Sequence, residues 1–246
     1  MGITSSIAMS ERERATLKLV VGFTFYWLVC LRLDAQSTAT TQAFIGLTTW
    51  TFLAVVLRFS PWEERIQVVT IIGVATFFEC LFSLIWGAYE YRLGNLPIYV
   101  PAGHGLFYYT ALRLAELSFL RRHSRLIVVC VFMGSVALLA RNLGSAPLSE
   151  ISDMLGLVTW VIFIPFIVRE RFALLYAVSF AMTMTLEFYG TSLGTWTWAP
   201  ILPWLRLSAA NPPACIGAGY CIMDAITRWL APRAHGVLRR KFSTPL

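Results

Sequence analysis

Eight apolar stretches dominate this chain: roughly 16–33, 41–59, 67–87, 102–120, 126–142, 153–168, 172–190 and 211–230. Each approaches the ~20 residues that an α-helix needs to cross ~30 Å of hydrocarbon. The core of a soluble domain is assembled from shorter apolar pieces, so runs of this length restrict the chain to the bilayer. The composition agrees, with 57% hydrophobic and 13% charged residues and a mean hydropathy of +0.67. The expected fold class is all-α, a polytopic membrane protein with eight transmembrane helices. Ahead of the first stretch, "MGITSSIAMSERERATLK" is long and acidic as well as basic, with no A-x-A-like site behind it, so residues 1–15 read as an N-terminal segment and not a cleaved signal. The opening "MGITSS" fits a myristoylation pattern, a chance match in a chain already anchored by its helices.

Basic residues set the orientation, because loops rich in arginine and lysine stay cytoplasmic. Of the 20 Lys and Arg, the side of the termini carries fifteen, from Arg12, Arg14 and Lys18 through Arg121, Arg122 and Arg125 to Arg239, Arg240 and Lys241. The other side holds Arg32, Arg92, Arg141 and Arg206, and Arg113 lies inside a helix. Both termini are expected in the cytoplasm, with residues 231–246 as a basic tail and the plasma (inner) membrane as the expected host. The net charge of +7 follows from that asymmetry, and the arginines are too scattered for a nucleic-acid site.

The two halves repeat each other. "GLTTWTFLAVVLRF" from Gly46 matches "GLVTWVIFIPFIVRERF" from Gly156, placing Trp50 opposite Trp160 and Arg58 opposite Arg169. Glu79 and Glu187 each precede a Gly-x-aromatic-x-aromatic loop: Gly87, Tyr89, Tyr91 in "WGAYEYRLGNLP" and Gly194, Trp196, Trp198 in "LGTWTWAPILP". "PAGHGLFY" from Pro101 then matches "PACIGAGY" from Pro213, with Tyr108 opposite Tyr220. Four matches in one order define two four-helix units, 16–122 and 123–230. An even number of spans per unit makes the repeats parallel, so their axis runs along the membrane normal. The two aromatic loops are then expected to face each other on the outer side and to line a vestibule; an interfacial aromatic belt is the plainer alternative. Pro101, Pro212 and Pro213 are expected at helix starts, with Asn211 as a cap.

Ionisable groups inside the bilayer cost about 2.5–3.5 kcal/mol on insertion scales, so those retained are paired or functional. They are Glu79, Arg113, Glu116, Glu187 and Asp224. Arg113 and Asp224 fall at near-equivalent positions and are expected to form an ion pair, with Glu116 as the other partner for Arg113. Nothing basic lies near Glu79 or Glu187 along their own helices, so each is expected to hold a proton that it can give up at neutral pH, as a general acid must. Anchoring of the loop by a tyrosine or a backbone group is the structural alternative.

Three histidines, His104, His123 and His235, fall at opposite ends of the helices. That excludes a histidine-rich di-iron centre and a bis-histidine haem, so no metal and no cofactor is expected. Cys30, Cys80, Cys130, Cys215 and Cys221 show no disulfide or zinc spacing. Gly103, Gly105, Gly217 and Gly219 are expected to let the fourth and eighth helices approach closely.

A glutamate followed by a glycine-and-aromatic loop and a proline-led helix resembles the pattern of membrane carotenoid hydratases and small carotenoid cyclases. The size and the membrane acids are similar to those of membrane-bound terpene cyclases. The resemblance covers residues 79–108 and 187–224 and implies protonation of an isoprenoid alkene or epoxide. Its catalytic acids would be Glu79, Glu187 and Asp224. Tyr89, Tyr91, His104, Tyr108, Trp196, Trp198, Asn211 and Tyr220 would bind substrate, the aromatic faces stabilising a carbocation. The expected partner is a membrane lipid or isoprenoid, and a membrane protein is the alternative partner. Two further readings stand beside this one: a transporter of small solutes or lipids, and a non-catalytic membrane binding or scaffold protein.

Overall fold

The computed structural model of the protein describes residues 9–144, 152–168 and 171–242, with the backbone alone for 234–242. Gly2 of "MGITSS" and Arg169, expected opposite Arg58, lie outside the described residues. Nine helices form among these residues: α1 (Glu11–Asp34), α2 (Ala39–Arg58), α3 (Trp62–Glu79), α4 (Tyr99–Glu116), α5 (Ser118–Arg122), α6 (Ser124–Leu143), α7 (Met154–Val168), α8 (Ala173–Ser192) and α9 (Ala218–Phe242). A π-helical turn, Cys80–Ile85, extends α3, and two short strands, β1 (Tyr89–Tyr91) and β2 (Trp196–Trp198), complete the chain. Local chemistry sets several boundaries. Ser10 and Glu13 form a reciprocal capping box at the start of α1, and Thr38 caps α2 through its side-chain oxygen.

Five helices are long and apolar enough to cross a membrane: α1, α2, α3 with its π-helical extension, α6 and α8. The expected eight spans are therefore not all of one kind. The α7 helix is apolar but has 15 residues. The α4 helix carries tyrosines, a histidine and glycines, and it tolerates them because most of its surface is buried against α1, α2, α3 and α8 and not in lipid. The outer helices keep large apolar side chains exposed, such as Phe25 (69%), Phe44 (65%) and Phe77 (63%), as membrane-facing surfaces do. Length, hydropathy and exposure together fit a membrane protein.

Four helices make the centre. The α3 helix packs on α4 and α9, and α8 packs on α9 and α4. Helices α1 and α2 flank α4 on one side, while α6 and α7 flank α8 on the other. The larger apolar cluster joins α1–α4 to the strands, and a second one fills the space among α6–α9. The glycines serve other contacts than expected. A Cβ on Gly103 would lie 2.5 Å from the ring of Trp27, one on Gly105 would lie 2.8 Å from Ile72, and one on Gly217 would lie 3.0 Å from the backbone oxygen of Phe180. They admit α1, α3 and α8, whereas Gly219 has open space around it.

Two buried aspartates tie the helix ends together. Asp34 accepts bonds from Ser37 Oγ (3.0 Å), Gln42 Nε2 (2.9 Å) and Tyr99 Oη (2.9 Å). Asp153 accepts from Asn142 Nδ2 (2.9 Å) and from the backbone N–H of Gly156 (3.0 Å), Ala210 (3.2 Å) and Ala214 (2.7 Å). Both side chains are fully inaccessible, so each carboxylate is satisfied by protein donors.

Candidate functional site

The two Gly-x-aromatic-x-aromatic loops meet. Strands β1 and β2 pair antiparallel, with Tyr89 opposite Trp198, Glu90 opposite Thr197 and Tyr91 opposite Trp196. Bonds from Arg92 N to Thr195 O and from Ala199 N to Ala88 O, both 3.0 Å, lengthen the ribbon at its two ends. Gly87 and Gly194 each lie two residues ahead of a strand in the left-handed region (φ +62° and +70°), the conformation glycine adopts without strain. Side chains on a strand alternate between faces, so four aromatic rings share one face of the ribbon while exposed Glu90 and Thr197 take the other.

Each strand supplies two ring donors to the glutamate of its own half. Glu79 Oε2 accepts from Tyr89 Oη (2.7 Å) and Tyr91 Oη (2.8 Å). Glu187 Oε2 accepts from Trp196 Nε1 (2.9 Å) and Trp198 Nε1 (3.0 Å). Burial, with Glu79 alongside, pushes both phenols well above the usual tyrosine range, so each keeps the proton it donates. From glutamate to glycine the first copy has one residue more than the second, Glu79 to Gly87 against Glu187 to Gly194. That residue is absorbed by the π-helical turn, which is an α-helix with one residue inserted.

The two stations differ in what else reaches them. His104 Nε2 lies 2.9 Å from Glu79 Oε1, and its Nδ1 lies 2.7 Å from Tyr220 Oη. With Nε2 protonated, the imidazole donates to Glu79 and accepts from Tyr220. Nothing basic lies near Glu79 along its own helix, as the sequence has it, but His104 reaches it from α4, a different helix. When the two halves are aligned Ile216 stands opposite His104, and among the described residues no histidine bonds to Glu187. Among the described residues no donor meets Glu187 Oε1.

Both carboxyls line a cavity of about 220 Å³. One water needs roughly 10–15 Å³ by this kind of measure, so the space is that of an organic ligand. Its walls are mostly apolar and rich in aromatics: Trp27, Phe78, Phe82, Tyr99, Phe107 and Tyr220 join the four rings of the ribbon, and no lysine or arginine lines it. Trp27, Phe78, Phe82, Tyr99 and Phe107 were not singled out from the sequence, where they are indistinguishable from other aromatics in apolar helices.

Of the expected site residues, Glu79, Glu187, Tyr89, Tyr91, His104, Trp196, Trp198 and Tyr220 come together around the cavity. Asp224, Tyr108 and Asn211 do not. Asp224 is held away from the cavity by Tyr108 Oη (2.6 Å) and by Arg228 Nε (2.6 Å), one turn along α9. The expected pair between Arg113 and Asp224 is absent. Arg113 bonds instead to Glu64 of α3, to Glu116 (3.2 Å) and to Tyr109, because its long side chain reaches back along the helix surface. Asn211 caps no helix, since α9 begins at Ala218; its side-chain oxygen accepts from Trp198 N (3.1 Å) and holds the end of the ribbon. Pro212 and Pro213 accordingly sit in the loop before α9, whereas Pro101 lies in the first turn of α4 as expected.

Gly190 is where the chain has no room. A Cβ there would fall 1.9–2.4 Å from three ring atoms of Trp196. Gly190→Ala should push the indole off Glu187 at a cost of about 1–3 kcal/mol, as overpacked interiors do. Thermal unfolding followed by tryptophan fluorescence should show a lower Tm; an unchanged one would mean that the indole packs elsewhere.

Fold and site together define a class of protein: mostly helical, built for a membrane, with two carboxyl–aromatic stations facing one apolar cavity. No protein-family model matches the chain, and no curated protein or solved structure matches it.

Proposed function

We propose that this protein is an integral membrane enzyme that acts by acid–base catalysis on an isoprenoid or similar apolar lipid bound in the cavity. Residues 16–122 and 123–230 are two parallel four-helix units about an axis along the membrane normal, with the ribbon at the outer face and both termini in the cytoplasm of a cell bounded by the plasma (inner) membrane. The pairing of β1 with β2 and the matched packing of α3 on α9 and α8 on α4 support that arrangement.

The observation that carries the chemistry is the unequal hydrogen bonding of the two carboxyls. Three donors converge on Glu79, which leaves it no oxygen from which to give a proton. Glu187 accepts two indole N–H bonds on Oε2 alone, so Oε1 is where it carries a proton toward the cavity. Two acids in different surroundings then take different roles. Glu187 gives its proton to an alkene carbon, becomes a carboxylate and leaves a carbocation on the substrate. The aromatic faces stabilise that cation, each by about 0.5–2 kcal/mol. Tyr220 takes a proton from a neighbouring carbon, or from an attacking water, as its own proton passes to His104 Nδ1, and Glu79 balances the imidazolium. Return of that proton to Glu187 closes the cycle, so cyclisation, isomerisation and hydration all balance without an oxidant or reductant. A phosphorylated lipid fits less well, because it would need cationic side chains that the lining lacks.

The test is to incubate the purified protein with polyprenoid substrates in deuterated water and to analyse the products by mass spectrometry. The reading predicts an isomeric or hydrated product carrying solvent deuterium on carbon. Recovery of every substrate unchanged and unlabelled would contradict it.

A further inference from the structure

The cavity combines three features that suit a positive charge on a bound molecule. Its walls present aromatic faces from several directions: Tyr89 lies 4.7 Å from Trp198, Tyr91 lies 6.2 Å from Trp196, and Phe107 lies 4.3 Å from Tyr220, between ring centroids. It holds two carboxyls and one imidazole with no lysine or arginine. One of those carboxyls, Glu187, is hydrogen-bonded only by indole N–H groups, which carry no charge, so its carboxylate form lacks a counter-ion. An aromatic box with an unmatched carboxylate is the arrangement that selects a quaternary or tertiary ammonium, whose charge is too diffuse to demand water and too bulky for a hydrogen-bonded cleft.

We propose that the cavity binds lipophilic organic cations, molecules with an ammonium group on an apolar body, with Glu187 as their counter-ion. The proposal rests on the same cavity as the acid–base reading and extends to a stable cation the surroundings which that reading gives to a short-lived one. Binding exchanges one charge for another: the Glu187 carboxyl releases its proton to solvent and the carboxylate that remains faces the ammonium. Proton and ligand therefore compete. The other titratable groups lining the cavity with Glu187 are Glu79 from α3, Tyr99 and His104 from α4, Tyr89 and Tyr91 from β1 and Tyr220 from α9. Glu79 stays matched to its three donors and does not take the ligand's charge.

Isothermal titration of the full chain in maltoside micelles tests this with two probes, decyltrimethylammonium and its neutral isostere in which a tert-butyl group replaces the trimethylammonium. The cation should bind at least about tenfold more tightly, which is roughly 1.4 kcal/mol. Its affinity should rise by up to about tenfold per pH unit through the range in which Glu187 titrates, as exchange against one proton requires, while that of the isostere stays flat. Glu187→Gln should erase the preference. Equal affinity for the two probes, or a cation affinity that does not change with pH in the unmodified protein, would overturn the proposal without touching the acid–base reading, which the deuterium experiment decides. Cation binding with no deuterium uptake would uphold this proposal and overturn that reading.

Discussion

Glu187→Gln should lower turnover of the cavity's substrate by about 10²–10⁴-fold, the usual contribution of a positioned general acid, while leaving the fold in place. Glutamine can keep its amide oxygen under the two indole N–H groups that now hold Oε2 and turn its NH₂ toward the cavity. Only the transferable proton is lost. Glu79→Gln should act by another route. With His104 protonated on Nε2 all three contacts to Glu79 donate, so an amide NH₂ in place of Oε1 would face His104 Nε2 and force the imidazole to accept there. His104 Nδ1 would then carry the hydrogen, and Tyr220 could no longer pass its proton to the ring. The two variants should therefore differ in the step they slow: Glu187→Gln abolishes deuterium uptake, whereas Glu79→Gln permits protonation and slows the loss of a proton that quenches the cation. Product formation at unmodified rates in both variants would reject the proposed roles.

The largest effect on stability is expected at Asp153, which does not line the cavity. Asp153→Ala would leave Asn142 Nδ2 and the N–H groups of Gly156, Ala210 and Ala214 without the acceptor that now joins α6, the start of α7 and the loop leading to α9. A buried donor left unsatisfied costs about 1–3 kcal/mol, so four of them should cost on the order of 4 kcal/mol even if water recovers some. Asp153→Asn should also weaken the fold, because its NH₂ would point at N–H groups. Gly156 leaves no slack for adjustment, since a Cβ there would stand 2.3 Å from Asp153 Oδ2. Thermal melts in detergent should show Asp153→Ala far less stable than Asp153→Asn, with both below the unmodified chain. A loss under about 1 kcal/mol for the alanine variant would show that those donors find other partners.

The apolar runs and the twin loops were legible in the sequence because each is a local pattern: length marks a membrane helix, and Gly-x-aromatic-x-aromatic occurs once in each half. That the loops would face each other was expected from the matched order of motifs, but their pairing as strands was not, since an all-α chain was expected. What could not be read was the rotation of each helix about its axis. In a soluble domain an apolar stripe points inward, but a helix surrounded by lipid is apolar on all sides and has no such stripe. Asp224 therefore looked like a cavity acid when it belongs with Tyr108 and Arg228, and Arg113 was paired across the wrong helices. A signal was available in α4 and α9. His104 and Tyr108 are four apart, as are Tyr220, Asp224 and Arg228, which defines a polar stripe on each helix. The bonds His104–Tyr220 and Tyr108–Asp224 join those stripes. Asp34 and Asp153 carried no comparable mark, because an acid at the end of an apolar run is ordinarily solvated.

The unequal protonation proposed for Glu79 and Glu187 is the point on which the chemistry turns, and infrared spectroscopy reads it directly. At neutral pH the carbonyl-stretch band of a protonated carboxyl should be present, should vanish in Glu187→Gln and should persist in Glu79→Gln. A band that vanishes in Glu79→Gln and persists in Glu187→Gln, or no protonated-carboxyl band at all, would contradict the account.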